Sequence, residues 1–286
     1  MASAYRHSWP SRPPDDGLGV VEGYDESTYG DAMADVYDEW FGDDRRTDGT
    51  DATNAAVACL AALAEGGPVL ELGVGTGRLA LRLADVGLAV HGVDASQAMV
   101  ERLRAKPGGD RVDVTIGDMA GLEPRGPFSL VFVALNTFFN LTTAQAQGRC
   151  LANVAGRLAT GGRFVMEVFV PVEPVGAGSH VEVRSLTSDR VVLSVTTSDP
   201  TAQTAMGQYI EMTNGGGVRL RPWKIRWATP QQLDDQARAV GLVLEHRWAD
   251  WSRREFSNES THHVSVYRLG TRHNLCLLYT SPSPRD

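Results

Sequence analysis

Three glycines spaced two apart, Gly73, Gly75 and Gly77, directly follow a short apolar run at 69–72 that holds one acid, Glu71. A backbone bare of Cβ atoms can turn there with φ > 0 and lets a ligand come close. About twenty residues on stands Asp94, at the distance where an acid accepts hydrogen bonds from the hydroxyls of a ribose. Gly117-Asp118-Met119 then offers a carboxylate for an adenine amino group and a thioether to pack on the ring, and Asn136 follows a further apolar run. Singly these are a glycine-rich turn, a helix-start acid and a turn residue. In this order they read as a nucleoside site.

Such residues converge only if the elements between them alternate correctly. Apolar runs at 69–72, 89–93, 112–116, 128–135 and 163–170 read as strands, the fourth apolar throughout as a strand buried on both faces should be. Helical patterns separate them: about 78–86, a helix capped by Ser96 that carries Met99, Val100 and Leu103, and one with Thr142 and Gln145 as a capping box and Gly161-Gly162 as its stop. Upstream, Tyr29, Met33, Val36, Tyr37 and Trp40 recur at helical spacing within 24–41, and Asp51 or Thr53 can cap a helix ended by Gly66-Gly67-Pro68. The alternation predicts an α/β fold, a Rossmann-like doubly wound parallel sheet, with each candidate at the carboxyl end of a strand, where such sheets bind ligands.

After Pro171 the texture changes to β-rich runs at 181–186, 191–197, 204–213 and 218–227, with turns at Asp199-Pro200 and Asn214-Gly215. This predicts an antiparallel β insertion over 171–228. A helix opened by Thr229, Pro230 and Gln232 and two strands, 242–248 and 262–269, then close the sheet as an antiparallel hairpin. The main domain is thus 22–170 with 229–270. Residues 1–21 read as a flexible arm, and 273–286 as a disordered or non-native tail.

Hydrophobic residues make up 42% and charged ones 22% of the 286, ordinary for a soluble protein, and no apolar run reaches the roughly 18 residues of a membrane span. Without an apolar signal core at the N-terminus, the chain is read as cytoplasmic and free of the membrane. Its net charge of −8, concentrated in the first fifty residues, repels polyanions, so nucleic acid is excluded as a partner. Cys59, Cys150 and Cys276 are too scattered for a metal site or disulfide framework, and the first two read as core.

Glu71-Leu-Gly73-Val-Gly75-Thr-Gly77, Val93-Asp94 and Gly117-Asp118-Met119 together resemble the class I S-adenosylmethionine-dependent methyltransferases over about residues 22–269. The resemblance implies S-adenosyl-L-methionine as cofactor and a seven-stranded sheet with an antiparallel last strand. It implies cofactor contacts at Glu71, Gly73, Gly75, Gly77, Asp94, Ala95, Met99, Asp118, Met119 and Leu135. Gly73 and Gly75 would meet the methionine moiety, Asp94 the ribose and Asp118 the adenine amine. Within the class the chain resembles the amino-sugar N-methyltransferases through Tyr29-Gly-Asp, Tyr37-Asp38, Glu167 and the β insertion, but has Asn140 where a histidine is expected.

The reaction implied moves a methyl group to N or O of a small molecule, such as a sugar or other secondary metabolite. Catalytic candidates are Tyr29, Asn140 and Glu167; acceptor contacts are Tyr37, Asn136, His180 and Tyr209. The insertion would be the acceptor lid and the contact of a homodimer. His262 and His263 read as strand contacts. No Asn-Pro-Pro-Tyr run follows the fourth strand, which disfavours a base- or glutamine-methylating enzyme. Two alternatives stay open: a non-catalytic S-adenosylmethionine-binding protein or pericyclase on the same fold, and an NAD-dependent oxidoreductase, although no Tyr-x-x-x-Lys pair is present.

Overall fold

Strand β1, Val69–Leu72, is buried at every residue. It pairs in parallel with β2, Val90–Asp94, on one side and with β4, Phe128–Val133, on the other. Beyond β2 lies β3, Asp113–Ile116; beyond β4 lies β5, Leu158–Phe169. Two antiparallel strands close the sheet, β11, His262–Leu269, on β5 and β10, Leu242–Trp248, on β11. The order β10-β11-β5-β4-β1-β2-β3 reverses direction of winding between β1 and β4, which opens a crevice at their carboxyl ends. The computed structural model describes residues 23–42, 49–121, 126–171 and 177–270. The arm 1–21, the tail 273–286 and Cys276 lie outside these residues.

Alternate side chains of the central strands bury on opposite faces. Leu70, Leu72, Val131 and Val133 pack against α6, Ala144–Ala155, and α7, Pro230–Ala239. Val69, Leu130 and Phe132 pack against α3, Gly49–Ala64, and α4, Ala80–Asp85. Cys59 and Cys150 are buried free thiols in these layers. Helix α5, Gln97–Arg104, is capped as its sequence predicts, Ser96 Oγ accepting from Met99 N at 3.1 Å. Helix α7 carries the full capping box of Thr229 and Gln232. No helix among the described residues is long and apolar enough to cross a membrane.

A second sheet follows β5: β6, Gly178–Leu186; β7, Arg190–Asp199; β8, Thr204–Thr213; and β9, Gly217–Arg226, paired antiparallel in that order. Its strand β9 packs against α1, and Ala205, Trp223, Ile225 and Trp227 join the core layer that holds Phe139.

Four local expectations are corrected. The helix expected over 24–41 is two, α1, Thr28–Met33, and α2, Tyr37–Phe41. The first stops because Arg221, from β9, takes the Ala32 carbonyl and the Asp35 carboxylate, a partner no local pattern announces. Gly161-Gly162 does not stop α6, which ends at Ala155. Instead Gly161, at φ +80°, sits in a register shift of β5 against β4. Thr143, not Thr142, caps α6, accepting from Ala146 N at 3.1 Å. Thr53 is one turn inside α3, fully buried, and its hydroxyl accepts from Arg78 at 2.8 Å.

Candidate active site

The loop after β1 is a tight turn tied to its neighbour strand. Gly73 N and Val74 N both donate to Val93 O, at 2.8 and 2.9 Å, and Gly77 N donates to Val74 O at 3.0 Å. All three glycines have positive φ, but for different needs. A Cβ on Gly73 would lie 2.3 Å from Thr137 Cγ2, and one on Gly77 2.8 Å from Leu103, so these two are required by protein packing. A Cβ on Gly75 would meet nothing within 4 Å. Its space faces the pocket.

Gly75 N also donates to Asp94 Oδ2 at 2.7 Å, while Asp94 Oδ1 accepts from Ser96 N at 2.9 Å. Those two bonds hold the carboxylate at the tip of β2, each oxygen keeping a lone pair for a ligand. Burial raises the Asp94 pKa, and the backbone bonds oppose that. Asp118, at the tip of β3, accepts from Ala120 N at 2.9 Å. Glu71 lies beneath the loop, 5% exposed. Burial pushes its pKa up to about 8 against the pull of Arg78 and the Ala80 N–H, and its Oε2 is a buried atom with no partner.

The roof comes from α1 and α2. Gly30 lets α1 approach α5: a Cβ there would lie 2.4 Å from Ser96 Cβ. Ser96 Oγ donates to Asp31 at 2.5 Å, and Thr76 Oγ1 to Asp38 at 2.6 Å, with Lys106 Nζ 2.8 Å from the same carboxylate. On the other side the inserted sheet grips the roof: Arg221 bridges Asp35 and Glu211, and Arg190 bridges Glu39 and Glu211. Tyr24 Oη accepts from Lys224 N at 3.1 Å.

Enclosed between loop and roof is a pocket whose lining includes ten of the predicted residues: Tyr29, Tyr37, Gly73, Gly75, Asp94, Ala95, Met99, Asp118, Met119 and Asn140. Glu71 and Gly77 are not in its lining. Leu135 and Asn136, with φ of 51° and 64°, form the turn that ends β4. There Leu135 N donates to the Glu167 carboxylate at 2.9 Å, and Asn136 Oδ1 accepts from Phe169 N at 2.6 Å. The side chains of Asn136 and Glu167 thus join β4 to β5, and Glu167 also faces a separate cleft with Asp250, Trp251 and His262. His180 is exposed on β6. Tyr209 stacks edge-on against Trp40 at 5.7 Å, outside the pocket lining but near enough to raise the pKa of Tyr29.

Sequence reading missed Tyr24, Asp25, Thr137 and Leu141 in the lining. A signal for Asp25 existed: its carboxylate accepts from Ser27 and Thr28 in a helix-start pattern, which lowers its pKa. Burial raises Tyr29 well above an ordinary phenol, with neighbouring Tyr37 and Tyr209 adding to the effect, and pushes Tyr37 up to about 12.

A doubly wound sheet with a glycine loop after β1 and acids at the tips of β2 and β3 defines a nucleoside-binding α/β enzyme. Residues 69–162 match the family model described as a methyltransferase domain. The chain is 42% identical to the CcbJ methyltransferase from Streptomyces caelestis, a solved structure, with 87% of this chain and 100% of that one covered and a TM-score of 0.80. It is 30% identical over 186 residues to the cypemycin N-terminal methyltransferase of a Streptomyces species, covering 63% of this chain and 74% of that protein. It shares its fold with S-adenosylmethionine-bound CalS10, an amino pentose methyltransferase from Micromonospora echinaspora (19% identity, TM-score 0.59, 81% and 96% covered). This chain belongs to the S-adenosylmethionine-dependent methyltransferases. The residues present suit that cofactor: open space before Gly75, a buried carboxyl oxygen of Glu71 without a partner, and Asp94 with lone pairs to spare.

Proposed function

We propose that this enzyme methylates an amine nitrogen of a small, polar secondary metabolite. The observation that carries this reading is that the phenols lining the pocket, Tyr24, Tyr29 and Tyr37, all have pKa values raised by burial, while that of the lining carboxyl of Asp25 is lowered by hydrogen bonds from Thr28 and Ser27, which makes it a weak base beside Glu26, Thr137, Asn140 and Leu141. Tyr29 and Tyr37 hold their protons far above neutral pH, so neither serves as a base. A hydroxyl acceptor requires a base within hydrogen-bond reach, and a neutral amine does not. One relative supports an amine acceptor by name, the cypemycin N-terminal methyltransferase.

S-adenosylmethionine, when bound, supplies a methyl group already activated on a sulfonium. What remains for the chain is positioning, worth roughly 7–11 kcal/mol for well-oriented reactants. In this reading Gly73 and Gly75 present backbone to the methionine end, Glu71 meets its ammonium charge, and Asp94 holds the ribose. Asp118 accepts from the adenine amine, with Ala95, Met99 and Met119 packed about the nucleoside. Tyr29, Tyr37 and Asn140 orient the acceptor and exclude water. Gly77, Leu135, Asn136 and Glu167 are positioning residues that shape the loop and the β4–β5 rim. Tyr209 backs Tyr29, the insertion acts as lid, and His180 lies at its outer edge. The acceptor is not nucleic acid, in keeping with the net charge of −8. The enzyme works in the cytoplasm, where free thiols such as Cys59 and Cys150 persist, and pairs with a second copy through the insertion.

The test is methyl transfer from methyl-labelled S-adenosylmethionine to matched amine and hydroxyl acceptors. Label is expected on nitrogen, and Tyr29→Phe should lower kcat/KM by about 10–100-fold with cofactor affinity unchanged, the range of a lost polar contact. Label on oxygen alone refutes the amine reading.

A further inference from the structure

Strand β6 carries one residue too many. Val183 pairs with Leu193 and Ser185 with Val192, so Arg184 is the extra residue of a bulge, and two residues of β6 stand against one of β7. To either side Val183 and Leu186 lie on the outer face of the inserted sheet, 58% and 72% exposed. Arg184 and Ser185 both turn to the inner face. There, with Arg190, Val192 and Tyr209, they meet Glu39 and Trp40 of α2 around a cavity of about 230 Å³. Bulges recur next to active sites, where they re-aim side chains. This one holds a guanidinium over the Tyr209 ring, 5.9 Å from its centre.

The other charges around the cavity are answered within the protein. Arg190 is ion-paired to Glu39 and Glu211, and Arg221 to Asp35 and Glu211, the two guanidinium groups lying 5.4 and 5.5 Å from the centre of the Trp40 ring. Arg184 has no ion pair among the described residues, and Glu182, on the same face of β6, does not supply one. Its donors are therefore free for a carboxylate, which a planar guanidinium takes through two parallel hydrogen bonds. The neighbouring active-site pocket has the opposite character. Asp25, Glu26, Asp94 and Asp118 line it, and no lysine, arginine or histidine does among the described residues. Such a pocket attracts the cationic end of a substrate and repels an anionic one. The two spaces adjoin: Tyr29, Tyr37, Trp40 and Tyr209 pack against one apolar cluster, and Arg184 is close enough for its charge to act on both Tyr209 and Tyr29.

We propose that Arg184 takes a carboxylate of the acceptor, so that the substrate is a zwitterion resembling an amino acid. Its amine stands in the acid-lined pocket and its carboxylate reaches the cavity between α2 and the insertion. This rests on the amine acceptor proposed above and adds the group at the molecule's other end. It also gives the bulge a task, since a regular strand would present one side chain here instead of two.

Binding is tested on the full chain, loaded with S-adenosylhomocysteine and isotope-labelled at arginine, by titration with benzoate and with benzamide at constant ionic strength. The Arg184 Nε–H resonance, assigned by its loss in Arg184→Gln, is expected to respond to benzoate at a concentration at least about 10-fold lower than to benzamide, the advantage of a charged acceptor. Turnover then separates this inference from the one it rests on. The acceptor that takes up methyl label should carry a carboxylate, and its carboxamide should have a kcat/KM about 10–100-fold lower with the wild type, through KM. With Arg184→Gln that gap should shrink to less than about threefold while S-adenosylhomocysteine affinity is unchanged. Equal response to benzoate and benzamide, an acceptor without a carboxylate, or the same discrimination by wild type and variant overturns the carboxylate site. Label on oxygen with the discrimination intact overturns the amine reading and upholds the site.

Discussion

Cofactor binding should expel a proton from Glu71. In the free protein this carboxyl is buried beneath the glycine loop with a pKa of about 8, so about nine tenths of it is protonated at pH 7. An ammonium group brought to its unpartnered oxygen favours the charged form and returns it toward the ordinary value of 4.5. Binding at pH 7 should then release about 0.9 proton, falling to about 0.1 at pH 9. Calorimetric titration with S-adenosylhomocysteine in buffers of different ionisation enthalpy reads that number directly as a slope. Affinity should tighten nearly tenfold per pH unit from 6 to 7.5 and level off above 8. In Glu71→Gln the Glu71 share of the proton release and of the pH dependence should vanish, and affinity at pH 8.5 should fall about 10–100-fold, the loss of a hydrogen bond to a charged group. If wild type and variant show the same slope, Glu71 does not meet the cofactor and the reasoning fails.

Other consequences separate folding from binding. Gly75→Ala should weaken cofactor binding at least about tenfold while costing only about 1–2 kcal/mol of stability for its positive φ, because no protein atom occupies the Cβ position. Gly73→Ala should instead destabilise the fold further, and Thr137→Ser should recover part of that by removing the methyl 2.3 Å away; thermal melts with and without cofactor check both. His263 is fully buried, its Nδ1 2.8 Å from Ser265 Oγ, and burial, with Arg247 nearby, pushes its pKa down to about 3. The unfolded chain protonates this ring below about 6.5 and the folded chain does not, so stability is lost as pH falls from 6.5 toward 3, by about 2 kcal/mol at pH 5. Denaturant titrations at pH 7.5 and 5 should show that loss in the wild type and a smaller one in His263→Phe.

Much of the architecture was legible because it is written in neighbours. The burial of 69–72 and 128–133, the glycines that follow, the cap at Ser96 and the capping box at Thr229 all depend on residues within a turn of one another. The candidate site was legible to the same extent: Asp94 and Asp118 stand at strand tips because alternation puts them there. Reading failed where a distant group decides. The roof breaks into two helices because Arg221, nearly two hundred residues on, claims the Ala32 carbonyl. Asn136, read as an acceptor contact, and Glu167, a catalytic candidate from the resemblance, also accept from Phe169 N and Leu135 N, bonds visible only once β4 and β5 lie side by side.

From the sequence alone came the sheet and its glycine loop, because strand periodicity and glycine chemistry act over a few residues, and the cofactor, through the family that the ordered motifs resemble. Only the tertiary structure decided which glycine is free of protein packing, that burial raises the Glu71 pKa, and which face of the insertion is apolar. Each of those depends on what lies across the gap, and a Cβ, a proton or an exposed valine costs free energy only against its spatial neighbours.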